Sequence, residues 1–237
     1  MAQNGAMTGS IAALLIASLL FVGSHFVLAA PPLRAVLVGR LGERPFLGLY
    51  SLVSIVLLVW MVLAWRDAPY VELWFAGAAL RHSSLVVMPF AFILLAGGFL
   101  TPNPTALMQD KVLKGEAPAH GIVKITRHPA MWAIVLWALS HIAANGDLAT
   151  VIFMAALLVL ALVGMVRIDA KKRAAAPDAW AHFAAVTSRV PFMALAQGRT
   201  TMALSELGWW KVGVGLLLYT LFLAVHGWLF GVSPLPV

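Results

Sequence analysis

The sequence contains no cysteine. That excludes disulfides, thiolate metal centres, iron–sulfur clusters and covalent c-type haem attachment. Any bound iron would have to be held by His, Met, Tyr or a carboxylate. Charge is scarce as well. Asp, Glu, Lys and Arg make up 11% of the 237 residues and hydrophobic types 62%. A soluble domain has about 25% charged and 45–50% apolar residues. Too little polar surface exists here to cover a soluble body, and the mean hydropathy is +0.94. A disordered chain, a soluble enzyme and a nucleic-acid-binding module are excluded. The composition is that of an integral membrane protein.

Acidic residues are the rarest charged type, nine against sixteen basic ones, for a net charge of +7. In a soluble chain that excess would suggest nucleic acid. In a membrane chain it reports orientation, because Lys and Arg collect in cytoplasmic loops. Spanning the hydrocarbon core takes about 20 apolar residues. Six segments qualify: Thr8–Ala29, Leu47–Trp65, Ser83–Leu100, a short one at Pro129–Ala144 that is expected to begin upstream, Leu148–Ile168 and Trp209–Phe230. Fourteen of the sixteen basic residues fall on one side of this arrangement and two, Arg66 and Arg81, on the other. The expected topology is multi-pass in a bacterial inner membrane, with both termini periplasmic. The first span reads as retained rather than as a cleaved signal, since no basic residue precedes it.

The expected fold is all-α: one domain over residues 1–237, a polytopic bundle of about six transmembrane helices with two short interfacial helices. The first interfacial helix opens at Pro31-Pro32 within Pro31–Phe46, with Leu33, Val36, Leu37 and Leu41 at helical spacing. The second opens at Pro177 within Ala174–Arg189 and carries Trp180 and Phe183 at i, i+3. Asn145-Gly146-Asp147 is so short that the helices it joins must be antiparallel neighbours. Thr101-Pro-Asn-Pro-Thr105 ends the third span, because two prolines cannot continue a helix.

Ionisable groups inside a span are expensive and often functional. His25 lies near the inner end of the first span, and His141, His82 and His226 lie toward the outer side. Each is either a histidine bonded to a nearby backbone carbonyl or a ligand. His25 and His141 each follow a serine in an apolar helix, and two histidines on separate helices suit axial ligation of haem iron. By depth alone, His82, His141 and His226 group better. Arg127-His128-Pro129 at a helix start reads equally as a membrane-face anchor with a helix-opening proline and as a basic pair ready to hold an anion or carboxylate. Asp169, one turn from Lys172 and Arg173, is most simply a surface ion-pair partner worth about 0–1 kcal/mol. The lipid bilayer and a lipophilic small molecule are the expected partners; nucleic acid is not.

Several elements in order resemble the NnrU family of bacterial membrane proteins. They are Gly23-Ser24-His25-Phe26, Arg40-Leu41-Gly42-Glu43-Arg44-Pro45-Phe46, Leu49-Tyr50-Ser51-Leu52, Asn103-Pro104, Ile125-Thr126-Arg127-His128-Pro129, Ser140-His141, Asn145-Gly146-Asp147, and Asp169 with its basic neighbours. The resemblance implies a role in nitrite and nitric oxide metabolism, as in denitrification. The same pattern looks like the 15-cis-zeta-carotene isomerases of the same superfamily. It implies haem b held by His25 and His141 and a haem-dependent cis–trans isomerisation of a polyene; Arg127 and His128, shaping the inner mouth, would then be placed to hold a propionate. A thiolate ligand of those enzymes would fall at Ala138, where no thiol exists. A more distant similarity is to isoprenylcysteine-type membrane methyltransferases, carried by Arg127-His128-Pro129 and Val190-Pro191. It implies S-adenosylmethionine acting on a lipophilic substrate, although Met131 replaces that family's tyrosine and its acidic pair is reduced to Asp169. A non-enzymatic membrane scaffold is the third alternative.

Overall fold

The structure, a computed structural model, describes residues 9–106, 108–115 and 118–235. Among them the regular elements are helical: α1 (Ile11–Leu28), α2 (Pro31–Leu41), α3 (Glu43–Asp67), α4 (Ala78–Leu100), α5 (Ile122–Ile125), α6 (Pro129–Asn145), α7 (Leu148–Ala175), α8 (Pro177–Val186), α9 (Met193–Ala196) and α10 (Trp209–Phe230). Short 3-10 turns occupy Asp110–Lys114 and Leu204–Leu207. Five helices, α1, α3, α4, α7 and α10, are long and apolar enough to cross a membrane, while α6 has only 17 residues. At 1.5 Å per residue α6 is about 25 Å long, close to the lower limit of about 17 residues for a span. The chain is a multi-pass, all-α membrane protein, as its composition implies.

The helix ends show where sequence reasoning needed help. The expected start at Thr8 lies outside the described residues; α1 is described from Ile11, and Ser10 caps it by accepting the Ala13 N–H at 3.0 Å. The first interfacial helix stops at Leu41, and Glu43–Phe46 already belong to α3. The fourth span does not begin upstream of Pro129. Proline fixes the helix start there, and the residues before it form the separate turn α5. α7 runs seven residues past Ile168, to Ala175, so Asp169 sits inside a helix rather than after one.

By internal contacts the chain forms two compact units. One runs to Ala76 and takes in His141–Leu160; the other comprises Gly77–Ser140 and the residues from Ala161 onward. In the first unit α1 packs along α3, burying Leu14, Ala17 and Phe21 with Met61 and Ala64. The far end of α3 is fastened by Trp65, whose Nε1 donates to Thr150 Oγ1 at 3.3 Å and whose ring lies 5.4 Å from that of Phe153. The Asn145-Gly146-Asp147 turn closes this end. Gly146 O accepts from Leu73 and Trp74 N–H at 2.8 and 3.2 Å. Gly146 has φ +70°, and any Cβ there would collide with the Trp74 carbonyl oxygen, so glycine is required twice over.

In the second unit α4 and α10 meet at backbone contact: a Cβ on Gly215 would lie 2.7 Å from Ile93 Cα. Tyr219 Oη donates to Leu85 O at 3.2 Å and Lys211 Nζ to Thr101 Oγ1 at 2.9 Å, pinning both ends of that pair. A core of Leu113, Ile122, Val123, Ile125, Trp180 and Phe183 holds α5 against α8. That core positions the turn carrying Arg127 and His128.

Candidate anion site

Residues 126–128 form the bend between α5 and α6. Arg127 N–H donates to Ser188 O at 3.0 Å, and Phe192 N–H donates to Ile125 O at 2.8 Å. Thr126 Oγ1 donates to Arg189 O at 2.8 Å. The Arg127 carbonyl accepts from Asn103 Nδ2 at 3.1 Å and Thr105 Oγ1 at 2.5 Å. The Thr101-Pro-Asn-Pro-Thr105 segment therefore does more than end α4: its polar side chains satisfy a buried carbonyl that would otherwise cost about 1–3 kcal/mol.

The Arg127 side chain reaches Asp169 on α7. Its Nε lies 3.2 Å from both carboxylate oxygens and its Nη2 2.9 Å from Oδ2. Nη1 donates to Thr187 O at 3.3 Å, and the guanidinium lies 5.4 Å from the centroid of the Trp180 ring. His128 Nε2 lies 2.7 Å from Asp169 Oδ1. Arg189 adds Nε and Nη2 to Oδ2 at 3.0 and 2.9 Å. One carboxylate thus receives two guanidinium groups and an imidazole. Asp169 is 1% exposed, His128 2% and Arg127 8%, whereas the Arg189 side chain keeps 37% of its surface.

This overturns the reading of Asp169 as a surface ion-pair partner. α7 is 28 residues long, about 42 Å, and exceeds the hydrocarbon thickness of about 30 Å. Its last turns carry Asp169, which the segments bearing Arg127, His128 and Arg189 cover. His128 also differs from the expected basic pair. Burial pulls its imidazole below the usual value and outweighs the neighbouring carboxylate. The nearby charges of Arg127 and Arg189 push in the same direction as burial. His128 is neutral near pH 7 and donates Nε2–H to Asp169.

Beside the cluster lies an open cavity of about 390 Å³, lined by Arg127, Thr187, Arg189, Val190, Gln197 and Arg199, among others. Arg199 caps α8, with Nη1 donating to Ala184, Ala185 and Thr187 carbonyls at 3.1, 2.6 and 2.9 Å, and its Nε donates to Gln197 Oε1 at 2.8 Å. Three arginines line the cavity and one carboxylate balances them. Arg189 and Arg199 carried no sequence signal of a site; they lie 62 and 72 positions from Arg127 and meet it only through the fold.

A family model described as NnrU protein matches residues 13–234. The chain belongs to the NnrU family. The match takes in both units and every residue of the cluster. No curated protein and no solved structure matches this NnrU chain.

The histidines fall elsewhere. In the first unit His25 Nδ1 bonds to Phe21 O at 2.7 Å, and its ring lies 5.6 Å from that of Tyr50, early in α3. His141 lies one turn before the Asn145 end of α6, and its carbonyl accepts from Asn145 Nδ2 at 2.8 Å, beside the turn whose Gly146 carbonyl accepts from Leu73 and Trp74 after α3. His25 thus packs near the start of α3, whereas His141 sits by the turn held beyond its end. In the second unit His82 Nδ1 bonds to Ala78 O at 2.7 Å and His226 Nδ1 to Val232 O at 2.8 Å. Among the described residues, no three His, Asp or Glu side chains come together as a metal site.

Proposed function

We propose that this NnrU family protein binds an anionic ligand in the arginine-lined cavity on the cytoplasmic side of the bacterial inner membrane. Both termini are periplasmic in this reading, and the bound anion is the protein's contribution to nitrite and nitric oxide metabolism. The observation that carries it is the cluster itself: Asp169 is shared by Arg127, His128 and Arg189, and Arg199 adds a further charge to the same cavity. Guanidinium groups suit oxyanions because their donors match two acceptor oxygens at once. The sorting of fourteen basic residues to this side supports the placement.

Asp169 has both oxygens occupied, so an incoming ligand meets arginines rather than a carboxylate. That favours an anion over the cationic centre of S-adenosylmethionine. The test is thermal unfolding of the purified chain in a neutral detergent with inorganic phosphate or nitrite added. A ligand at 100 times its Kd stabilises the folded state by about 2.7 kcal/mol. The expected result is a dose-dependent rise in Tm that Arg189→Gln removes. No rise with either anion, or an equal rise in the variant, contradicts the proposal.

A second reading keeps haem b, on His25 alone, for a polyene isomerisation. It is favoured by the Nδ1 bond to Phe21 O, which fixes the ring and leaves Nε2 as the nitrogen for a metal. Purified protein from haem-replete cells should then show a Soret band that His25→Ala abolishes. Absence of the band, or its persistence in the variant, removes this reading.

A further inference from the structure

We infer that the anion held in the cavity is the phosphomonoester headgroup of a membrane lipid, whose apolar chain lies over Val190, Phe192 and Met193. This rests on the anion reading and names its ligand class. Two independent features support it.

The first is charge. Arg127, Arg189 and Arg199 against Asp169, with His128 neutral, leave two positive charges in excess at the cavity. A phosphomonoester carries about −1.5 to −2 near pH 7, whereas a phosphodiester headgroup carries a single negative charge. The doubly charged group is the better complement.

The second is a strained residue that displays an aromatic ring. Phe192 has φ +62°, a conformation that is a genuine outlier for a bulky L residue. It is held there by its N–H on Ile125 O and by Ala196 N–H on its own carbonyl, both at 2.8 Å. Its side chain nevertheless stays 59% exposed. Strain of this kind persists where the surroundings over-determine it and is concentrated at ligand clamps. Val190 and Met193, exposed beside it, also line the cavity. The apolar surface therefore continues out of the basic cavity onto the segment that follows α8. A soluble anion needs no such surface, but a lipid phosphate does.

The experiment uses the purified full chain in a non-ionic detergent. Native mass spectrometry compares equimolar dioleoyl phosphatidic acid and dioleoyl phosphatidylcholine, and inorganic phosphate is followed separately by thermal shift. Phosphatidic acid should be preferred about tenfold or more, equivalent to about 1.4 kcal/mol, and Arg189→Gln should remove the preference. Phe192→Gly accepts the positive φ without strain and keeps the fold; it should weaken phosphatidic acid binding several-fold while leaving the response to inorganic phosphate unchanged. If phosphate stabilises the wild type but the two lipids bind equally, the lipid inference fails and the anion reading stands. The same follows if Phe192→Gly leaves lipid binding intact. If neither phosphate nor phosphatidic acid binds, both fail.

Discussion

Among the described residues of the unit containing α1 and α3, the buried charged one is Asp147, and its Oδ1 caps α7 by accepting the Thr150 N–H at 2.9 Å. In the unit containing α5 and α8, Arg127, His128, Asp169 and Lys172 are all buried. In the first unit the ionisable side chains His25 and Asp147 find partners three or four residues away, while neutral Trp65 supplies a long-range bond to Thr150. The second brings together groups about 20 to 67 positions apart in the chain and fastens their backbones as well as their side chains. A histidine inside a span is therefore a poor marker of function when its own helix supplies the partner. Charges drawn together from several segments are a better one, because burying each is costly and only their mutual pairing offsets it.

The strongest way to break this contrast is Asp169→Asn. Removing the shared carboxylate charge leaves Arg127 buried without its counter-ion, and the loss expected for a broken buried pair is about 3–5 kcal/mol. Thermal unfolding in detergent should show a large drop in Tm or a failure to accumulate folded protein. A variant as stable as the wild type would mean the cluster is not buried as described.

Gly146→Ala probes the first unit in the same assay. The positive φ and the contact with the Trp74 carbonyl should cost about 1–3 kcal/mol, while phosphate binding by the folded fraction stays unchanged. Loss of phosphate binding there would join the two regions functionally and weaken the comparison.

The pH dependence sharpens it further. The His128 imidazole is held below its usual value by burial, so the folded state takes up its proton less readily than the unfolded chain. The unfolded state then binds more protons as pH falls below about 6.5, and stability must fall with it. The Tm of the wild type should decline from pH 7 toward pH 5, and His128→Gln should flatten that part of the curve. An unchanged slope in the variant would assign the decline to other groups. The smallest effect belongs to His25→Ala, expected to cost no more than about 1.5 kcal/mol for one local hydrogen bond and to leave phosphate binding intact.

Much of the fold was legible in the sequence because hydropathy and helix punctuation are local. Pro31, Pro129 and Pro177 each open a helix where proline belongs at the first position, and Trp209–Phe230 forms the expected span residue for residue. The extension of α7 past Ile168 was hidden, since its last seven residues are polar or small and hydropathy ends the span before them, although their Ala, Lys and Arg are good helix formers. The site was half legible. Arg127 and His128 stood out as a motif, but the acid that joins them lay in that unread extension. Asp169 in the interior of a helix was the signal available. Arg189 and Arg199 had none, because tertiary packing of the segment after α8 is what delivers them.

The most direct test of the central claim is inorganic phosphate titrated against the thermal unfolding of wild type and Arg189→Gln at pH 7.5. Arg189 is part-exposed and leaves Asp169 paired with Arg127 and His128, so the variant should fold. The account expects a saturable rise in Tm for the wild type and a much smaller one for the variant. Identical curves, or no rise in either, would contradict it.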